Sequence, residues 1–534
     1  MMAPKHGVLF VALLVGLASV DALRMRTRGE EAYVTLLYGD EFLLGVRVLG
    51  KSIRDTGSTK DMVVMVSDGV SKYAVDLLEA DGWIIDTISL LQNPNHVRPK
   101  RFWGVYTKLK IFNMTEYRKV VYLDADTIVV KNIDSLFKCA KFCANLKHSE
   151  RLNSGVMVVE PSQHVFNDMM SKVTTLPSYT GGDQGFLNSY YSEFPNARVF
   201  QPNLLREPAN SPAMERLSTL YNADVGLYML ANKWMVDESE LHVIHYTLGP
   251  LKPWDWWTSW IVKPVDVWQN VRVKLHASLP GTGGGRNPRD ELTVKFLFLL
   301  PLFALLIAYY RTYPQFLQSL GRISFCDQGR QFYSKILSHV TFNYNGVPST
   351  SSVASPHKFY GNAMAKIPDS LGATSVVICL ISVFISLAGS LLIVPRQVTP
   401  WTGILLVYEW AFTFFALLFG GFLHLVYARG KATSASSHSE FSDHGEGKGH
   451  QKQVMNCDTT WHLWLGMAAL AVAAPSAPFA FGITALFSRL GLMALGGLLL
   501  ASFMAYASEH LAFRYFLKGL LEDSRRSRNS CFLC

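Results

Sequence analysis

Cysteine is scarce in this sequence, with seven residues in 534, so the chain is not a small secreted protein built on a disulfide framework. Cys139 and Cys143 lie four positions apart and could either pair or simply pack. Charged residues are also few, at 17% of the chain, although the formal net charge is +9. Lys and Arg form no basic stripe interleaved with stacking aromatics, so the sequence predicts no nucleic-acid partner.

Apolar residues, by contrast, make up 49% of the chain and are unevenly distributed. Residues 30–285 have the composition of a soluble enzyme and end in the Gly-rich hinge Thr282–Arg286. Beyond the hinge, five stretches are long enough to cross a bilayer: Leu292–Tyr310, Ala373–Val394, Trp401–Tyr427, Trp461–Ala480 and Leu486–Leu511. The sequence therefore predicts a membrane domain over 292–511 with about five transmembrane helices, a disordered Ser/His/Gly-rich loop at 433–450, and a tail at 512–534.

The N-terminus predicts entry into the secretory pathway. An apolar run from Val8 to Val20 follows Lys5 and His6, which is the pattern of a signal peptide or signal anchor at 1–22. Lys and Arg are concentrated in the loops that five spans would place in the cytosol together with the tail. We therefore expect a multi-pass protein of the Golgi or another secretory membrane, with residues 30–285 on the luminal side. Cys531 and Cys534 in the tail could be palmitoylated or remain free thiols.

From Ala32 onward, short apolar runs typical of strands alternate with helical patterns. This alternation predicts a mostly parallel, doubly wound α/β sheet. Ligands bind beyond the carboxyl ends of the strands in such sheets. Two polar segments, Gly39-Asp40 and Asp124–Asp126, fall at predicted strand ends.

The strongest chemical signal is Asp124-Ala125-Asp126, which directly follows the strand run Val120–Leu123. Two carboxylates one residue apart can reach one hard cation, and Mn²⁺ or Mg²⁺ held there could bridge the phosphates of a nucleotide diphosphate. Far downstream, His245 is a candidate third ligand, and Lys252 could lie against a phosphate. Taken alone, His245 would more often be a structural histidine.

Two further segments carry polar residues beside predicted regular structure. Thr180–Gly185 is a Gly-rich turn that opens a helix at Asp183 and Gln184. Asn153-Ser154-Gly155 precedes the apolar run Val156–Val159 and would put an amide at another strand end.

Taken in order, these motifs resemble the glycogenin-like branch of glycosyltransferase family eight. The resemblance covers about Ala32 to Trp257 and rests on six segments: Ala32–Leu36, Thr107–Leu109, Leu123–Thr127, Asn153–Gly155, Gly181–Gly185 and His245–Trp254. It implies a GT-A fold, a UDP-sugar donor, Mn²⁺ as the metal, and retention of anomeric configuration.

Position by position, the resemblance implies Asp124, Asp126 and His245 as metal ligands. Lys108, Asp183 and Gln184 are the implied catalytic residues, with Lys108 at the diphosphate or sugar and Asp183 close to the anomeric carbon. The other implied donor-binding residues are Leu36 at the uracil, Asn153 at the sugar, Gly249 and Lys252 over the diphosphate, and also Tyr38, Ala125 and Ser154.

The chain departs from the family pattern at three points. Tyr38-Gly39 replaces the usual Thr-Asn, so the base pocket differs. Thr180 stands where an acidic residue is often found, which weakens a double displacement that needs a second carboxylate. The basic residue upstream of Lys108 has three candidates, Arg98, Lys100 and Arg101, any of which could also face a uronate carboxylate.

The apolar second half, with the run Trp254–Trp260, resembles plant glycogenin-like proteins that glucuronosylate inositol phosphorylceramide. The resemblance implies UDP-glucuronate as donor and a sphingolipid headgroup as acceptor. Alternatives are a polysaccharide acceptor such as xylan or an α-glucan primer, or another sugar on the same lipid. A lipid-binding scaffold with a vestigial transferase is the non-enzymatic alternative.

Overall fold

The structure is a computed structural model that describes residues 29–94, 104–147, 151–203, 212–247, 249–279, 290–312, 367–439 and 460–530. The chain divides into two compact units, Met1–Asp290 and Glu291–Cys534. The predicted signal segment 1–22, the cation candidates Arg98, Lys100 and Arg101, and the terminal Cys531 and Cys534 lie outside the described residues.

A seven-stranded sheet forms the centre of the first unit. Its strands are β1 (Glu31–Leu37), β2 (Asp61–Val66), β3 (Ile84–Thr87), β4 (Lys119–Leu123), β6 (Phe142–Leu146), β7 (Leu152–Val159) and β8 (Met214–Leu217). Their order across the sheet is β3-β2-β1-β4-β7-β6-β8. Strands β3, β2, β1 and β4 are parallel, as the alternation predicts. Strand β7 is antiparallel to both β4 and β6, so the sheet is mixed. The connection from β6 to β7 is too short for the crossover that a parallel pair requires.

A second sheet has three strands, β5 (Thr127–Val129), β9 (Ala223–Asp224) and β10 (Val243–His245). Their order across this sheet is β5-β10-β9. Strand β10 is antiparallel to β5, with His245 opposite Thr127. Because β5 begins three residues after Asp124, this pairing connects the end of β4 to a segment far along the chain.

Helices and 3₁₀ segments pack on the sheets. The helices are α1 (Leu43–Asp55), α2 (Lys72–Ala80), α3 (Gln163–Lys172), α4 (Asp183–Tyr190), α5 (Val225–Ala231), α6 (Thr258–Ile261) and α7 (Val265–Ser278); the 3₁₀ segments are Asp40–Phe42, Val105–Asn113, Asp134–Lys138, Phe194–Asn196, Thr219–Tyr221 and Glu238–Glu240. Val46 and Leu49 of α1 pack on one face of the large sheet. Leu109 and Phe112 pack on the other face. Both faces are therefore covered, as a doubly wound arrangement requires.

In the described part of the second unit, five helices are long and apolar enough to cross a membrane. The candidate spans are Glu291–Tyr310, Leu371–Ile393, Pro400–Thr433, Trp461–Ala480 and Leu486–Leu520. They belong to α8 (Asp290–Thr312), α9 (Leu371–Ile393), α10 (Pro400–Ser439), α11 (Trp461–Ala480) and α12 (Leu486–Ser530). Helix α10 continues to Ser439, so the first part of the predicted disordered loop 433–450 is helical; the remainder of that loop lies outside the described residues. The predicted α/β class with an apolar helical second half is confirmed.

Cys139 and Cys143 form a disulfide, which decides between the two possibilities that their spacing left open. Both side chains are buried beside Glu215, which is fully buried and accepts from Ala140 N. Because the closed loop is so short, the bond restricts the unfolded chain only modestly, by about 2 kcal/mol. We expect the Cys139→Ser/Cys143→Ser variant to fold and to lose about that much stability, as measured by chemical denaturation. A double variant as stable as the wild type would contradict this.

Candidate active site

Asp124, Asp126 and His245 meet where the two sheets join. Asp124 follows the last residue of β4, and its N–H donates to Gly155 O at 2.8 Å, which keeps it beside β7. Pairing of β10 with β5 brings His245 next to the same turn, where Tyr246 N donates to Asp126 O at 2.9 Å. The ring nitrogen Nε2 of His245 lies 3.3 Å from Asp126 Oδ1 and 3.9 Å from Asp124 Oδ2.

This trio has the donor set of a divalent cation site. One ligand atom from each of the three side chains lies within 4.8 Å of the others. Carboxylate oxygens suit Mg²⁺ and Mn²⁺, and imidazole is acceptable to Mn²⁺. The residues therefore fit a metal of this kind, since one ion can reach all three ligand atoms.

Lys108 connects the trio to Asp183. Its ammonium lies 2.9 Å from Asp124 Oδ1 and 3.1 Å from Asp183 Oδ2, over the ring of Tyr122. It also donates to Ser154 O at 3.2 Å. Burial alone would lower the pKa of Lys108, but the two carboxylates hold that pKa above its ordinary value. Lys108 is therefore a buried, charged group shared by two acids.

Lys252 supplies a second ammonium, 2.6 Å from Asp126 Oδ2. Burial would raise the pKa of Asp126, but Lys252 and His245 hold that pKa well below its usual range. Asp126 is therefore ionised. Three carboxylates, those of Asp124, Asp126 and Asp183, thus share the cleft with two lysine ammonium groups.

Asp183 and Gln184 begin α4, and their position is fixed by β7. Gly181 adopts a φ of 71°, which a residue with a side chain rarely takes, and this turn starts the helix. Asn188 of α4 exchanges two hydrogen bonds of 2.9 Å with the backbone of Leu152. Ser154 Oγ then donates to Asp183 Oδ2 at 2.7 Å, and Asn153 Nδ2 donates to Gln184 Oε1 at 3.1 Å.

A cleft of about 610 Å³ opens over these groups. It is lined by eleven of the residues predicted from sequence: Leu36, Tyr38, Lys108, Asp124, Ala125, Asp126, Ser154, Asp183, Gln184, Gly249 and Lys252. The other two predicted residues each contact a residue that lines the cleft: Asn153 donates to Gln184, and His245 lies beside Asp126.

The sequence predicted that Asn153-Ser154-Gly155 precedes a strand, whereas these residues lie within β7. The amide still comes to the end of β4, because β7 is antiparallel to that strand.

The cleft also has lining residues that sequence reasoning missed, among them Phe42, Tyr122 and Tyr179. Tyr122 lies two residues before Asp124, and its hydroxyl donates to Asp124 Oδ1 at 2.9 Å. The two-residue period of a strand puts both side chains on one face, so this contact could have been found from the sequence. Tyr179, which accepts from Gln184 Nε2 at 3.0 Å, has no such signal.

Comparison with known proteins points to one family. The model of "Glycosyl transferase family 8" matches residues 33–142. "Inositol phosphorylceramide glucuronosyltransferase 1" of Arabidopsis thaliana is 66% identical over 509 residues, which cover 94% of this chain and 94% of that protein. "Putative UDP-glucuronate:xylan alpha-glucuronosyltransferase 3" of the same plant is 33% identical over 48% of this chain and 40% of its own length.

Among solved structures, a galactosyltransferase LgtC in complex with donor and acceptor sugar analogues aligns with 45% of this chain and 94% of its own. The sequence identity is 16% and the TM-score 0.33.

Proposed function

Because this chain belongs to glycosyltransferase family 8, we propose that it transfers glucuronic acid from UDP-glucuronate to inositol phosphorylceramide. The observation that carries this proposal is the sequence identity of 66%, over nearly the whole length and including the helical second unit, to the plant protein named for that activity. The xylan-directed relative, by contrast, matches about half of this chain. A single helix is enough to anchor an enzyme, whereas this chain has five membrane-capable helices among its described residues. A lipid acceptor explains why the enzyme stays at the bilayer.

We propose Mn²⁺ as the metal, held by Asp124, Asp126 and His245, with Mg²⁺ as the other candidate. When bound there, such an ion neutralises charge that develops on a departing diphosphate. Lys252 adds positive charge at the same end of the cleft, and Lys108 adds it between Asp124 and Asp183.

In this proposal, the remaining polar groups hold the donor sugar. Asp183 and Gln184, fixed by Ser154 and Asn153, position the sugar for attack by an inositol hydroxyl on the face that the diphosphate leaves, which retains the anomeric configuration. Leu36 and Tyr38 supply an apolar wall for the uracil, with the Tyr38 ring 5.2 Å from that of Phe42.

We further propose that the first unit is luminal in the Golgi or another secretory membrane. The Cys139–Cys143 disulfide supports this, because such bonds persist in oxidising compartments and are rare in the cytosol. The proposed domain bounds are 30–285 for the transferase and 292–511 for the membrane part, with 512–534 as a cytosolic tail.

Acceptor choice can be tested with membranes that contain the full chain, Mn²⁺ and labelled UDP-glucuronate. Inositol phosphorylceramide and xylan oligosaccharides are offered together, and the products are separated by solvent extraction. We expect label in the lipid phase, and we expect its amount to rise with the amount of added inositol phosphorylceramide. Label confined to the oligosaccharides would contradict the lipid acceptor, and labelled UDP-glucose outcompeting UDP-glucuronate would contradict the donor.

A further inference from the structure

Asn222 belongs to none of the motifs that identify the site, yet it lies directly behind it. The residue sits between the 3₁₀ segment Thr219–Tyr221 and β9, and its side chain is completely buried. It contacts His245, one of the three candidate metal ligands, and Asn153, which donates to Gln184. Its Oδ1 lies 3.0 Å from His245 Nδ1, and its Nδ2 donates to Asn153 Oδ1 at 2.9 Å.

The direction of this hydrogen-bond chain is fixed by groups that can only donate. Gly155 N–H donates to Asn153 Oδ1 at 3.0 Å, which identifies that atom as the carbonyl oxygen of the amide. Asn153 must therefore donate through Nδ2 to Gln184 Oε1, an oxygen that also accepts from Ser154 N–H at 3.4 Å. Amide orientation follows here from the network, as it must where hydrogens are not seen.

The same logic determines the tautomer of His245. Because Asn153 Oδ1 is an acceptor, Asn222 turns Nδ2 toward it and Oδ1 toward His245. Lys147 Nζ, a pure donor, lies 3.5 Å from this oxygen and 3.0 Å from Asn222 O, which agrees with that orientation. An oxygen facing Nδ1 requires the proton to be on Nδ1. With the proton on Nδ1, Nε2 is the nitrogen left to bind a metal, on the side where Asp124 and Asp126 lie.

We propose that Asn222 is a positioning residue that sets the metal-binding tautomer of His245 and couples it to the sugar-holding amide of Gln184. This inference rests on the proposed function, because it assumes a metal at the trio and a sugar at Gln184. Metal-ligating histidines usually donate their second N–H to an oxygen, and loss of such a partner weakens metal binding about 10–100-fold. One side chain thus orients both the metal ligand and, through Asn153, the sugar contact.

Two substitutions separate these two tasks. Asn222→Ala removes the acceptor for Nδ1 and the donor to Asn153 together. Asn222→Asp retains an oxygen toward Nδ1 and Lys147 but can no longer donate to Asn153. Asn145→Ala is the matched control, because Asn145 is also buried and its amide donates to the backbone of Leu217.

The full-length protein is purified in detergent, and Mn²⁺ binding is measured in the presence of UDP by electron paramagnetic resonance of the free ion. We expect Asn222→Ala to weaken Mn²⁺ binding about 10–100-fold. Asn222→Asp should bind Mn²⁺ nearly as well as the wild type, while its kcat for transfer falls about fivefold, the loss of one hydrogen bond. Asn145→Ala should lower the melting temperature and leave Mn²⁺ binding unchanged.

Wild-type Mn²⁺ binding by both Asn222 variants would overturn the positioning role while leaving the proposed function intact. Equal loss of Mn²⁺ binding in both would also overturn it, because the retained oxygen should preserve the tautomer. Failure of the wild-type protein itself to bind Mn²⁺ with UDP would overturn the metal assignment. If Asn222→Ala does not fold, Asn222→Asp alone decides: retained Mn²⁺ with reduced kcat supports the role, and an unchanged kcat contradicts it.

Discussion

Replacing Asp124 and Asp126 together by alanine is expected to reduce glucuronosyl transfer by at least about 10³-fold, the equivalent of the several kcal/mol that a catalytic metal supplies. The physical reason is that His245 alone cannot hold a hard cation against water once both carboxylates are gone. Lys252 also loses its 2.6 Å partner at the end of the cleft. The measurement is transfer from labelled UDP-glucuronate in membranes over a range of Mn²⁺ concentrations.

The matched control for this variant is Asp76→Ala/Glu79→Ala. Both residues are exposed acids on α2, away from the cleft, so that variant removes the same charge without touching the site. The Asp124/Asp126 variant should remain in the membrane fraction at the wild-type level, because the apolar helices of the second unit are unchanged. Undiminished product from it, at any Mn²⁺ concentration, would mean that the trio is not the metal site.

Replacing Lys108 by methionine should have the second largest effect, a loss of about 10²–10³-fold in kcat/KM, the range measured when one oriented donor is removed from a site of developing charge. Methionine preserves much of the side-chain volume but leaves Asp124 and Asp183 without the cation they share. Two carboxylates held near each other then repel, so Asp183 moves or takes up a proton. Steady-state kinetics with varied UDP-glucuronate measure the effect.

Lys108→Arg is the informative partner variant. It retains the charge but carries a planar, bulkier head into a buried position between two acids and Ser154. We expect it to recover part of the lost rate, because electrostatic neutralisation is restored while the geometry is not. Equal rates for Lys108→Met and the wild type would show that the buried ammonium is dispensable for transfer.

The sequence predicted those features that depend on local pattern. The strand that ends at Asp124 was apparent from its apolar run, and the two-residue spacing of the acids already indicated one cation. The motif order from Ala32 to Trp257 indicated glycosyltransferase family 8, and membership of that family was confirmed. Among the described residues, the five apolar stretches of the second half corresponded to five helices; the bounds of Trp461–Ala480 agree, and the others differ by up to nine residues.

What the sequence could not provide were the contacts set by strand pairing. His245 reaches Asp124 and Asp126 only because β10 runs antiparallel to β5, and no local pattern specifies that pairing. The reversal of β7 likewise follows from a short connection whose direction is a tertiary property. Asn222 is buried for the same reason: its partners, His245 and Asn153, come from two different sheets.

The proposed function is tested most directly by the lipid profile of cells in which this gene is inactivated. We expect glycosylated inositol phosphorylceramide to disappear and the unmodified lipid to accumulate. The wild-type chain should restore the profile, whereas the Asp124→Ala/Asp126→Ala variant, expressed at the same level, should not. An unchanged profile in the inactivated cells, or full restoration by that double variant, would contradict the account.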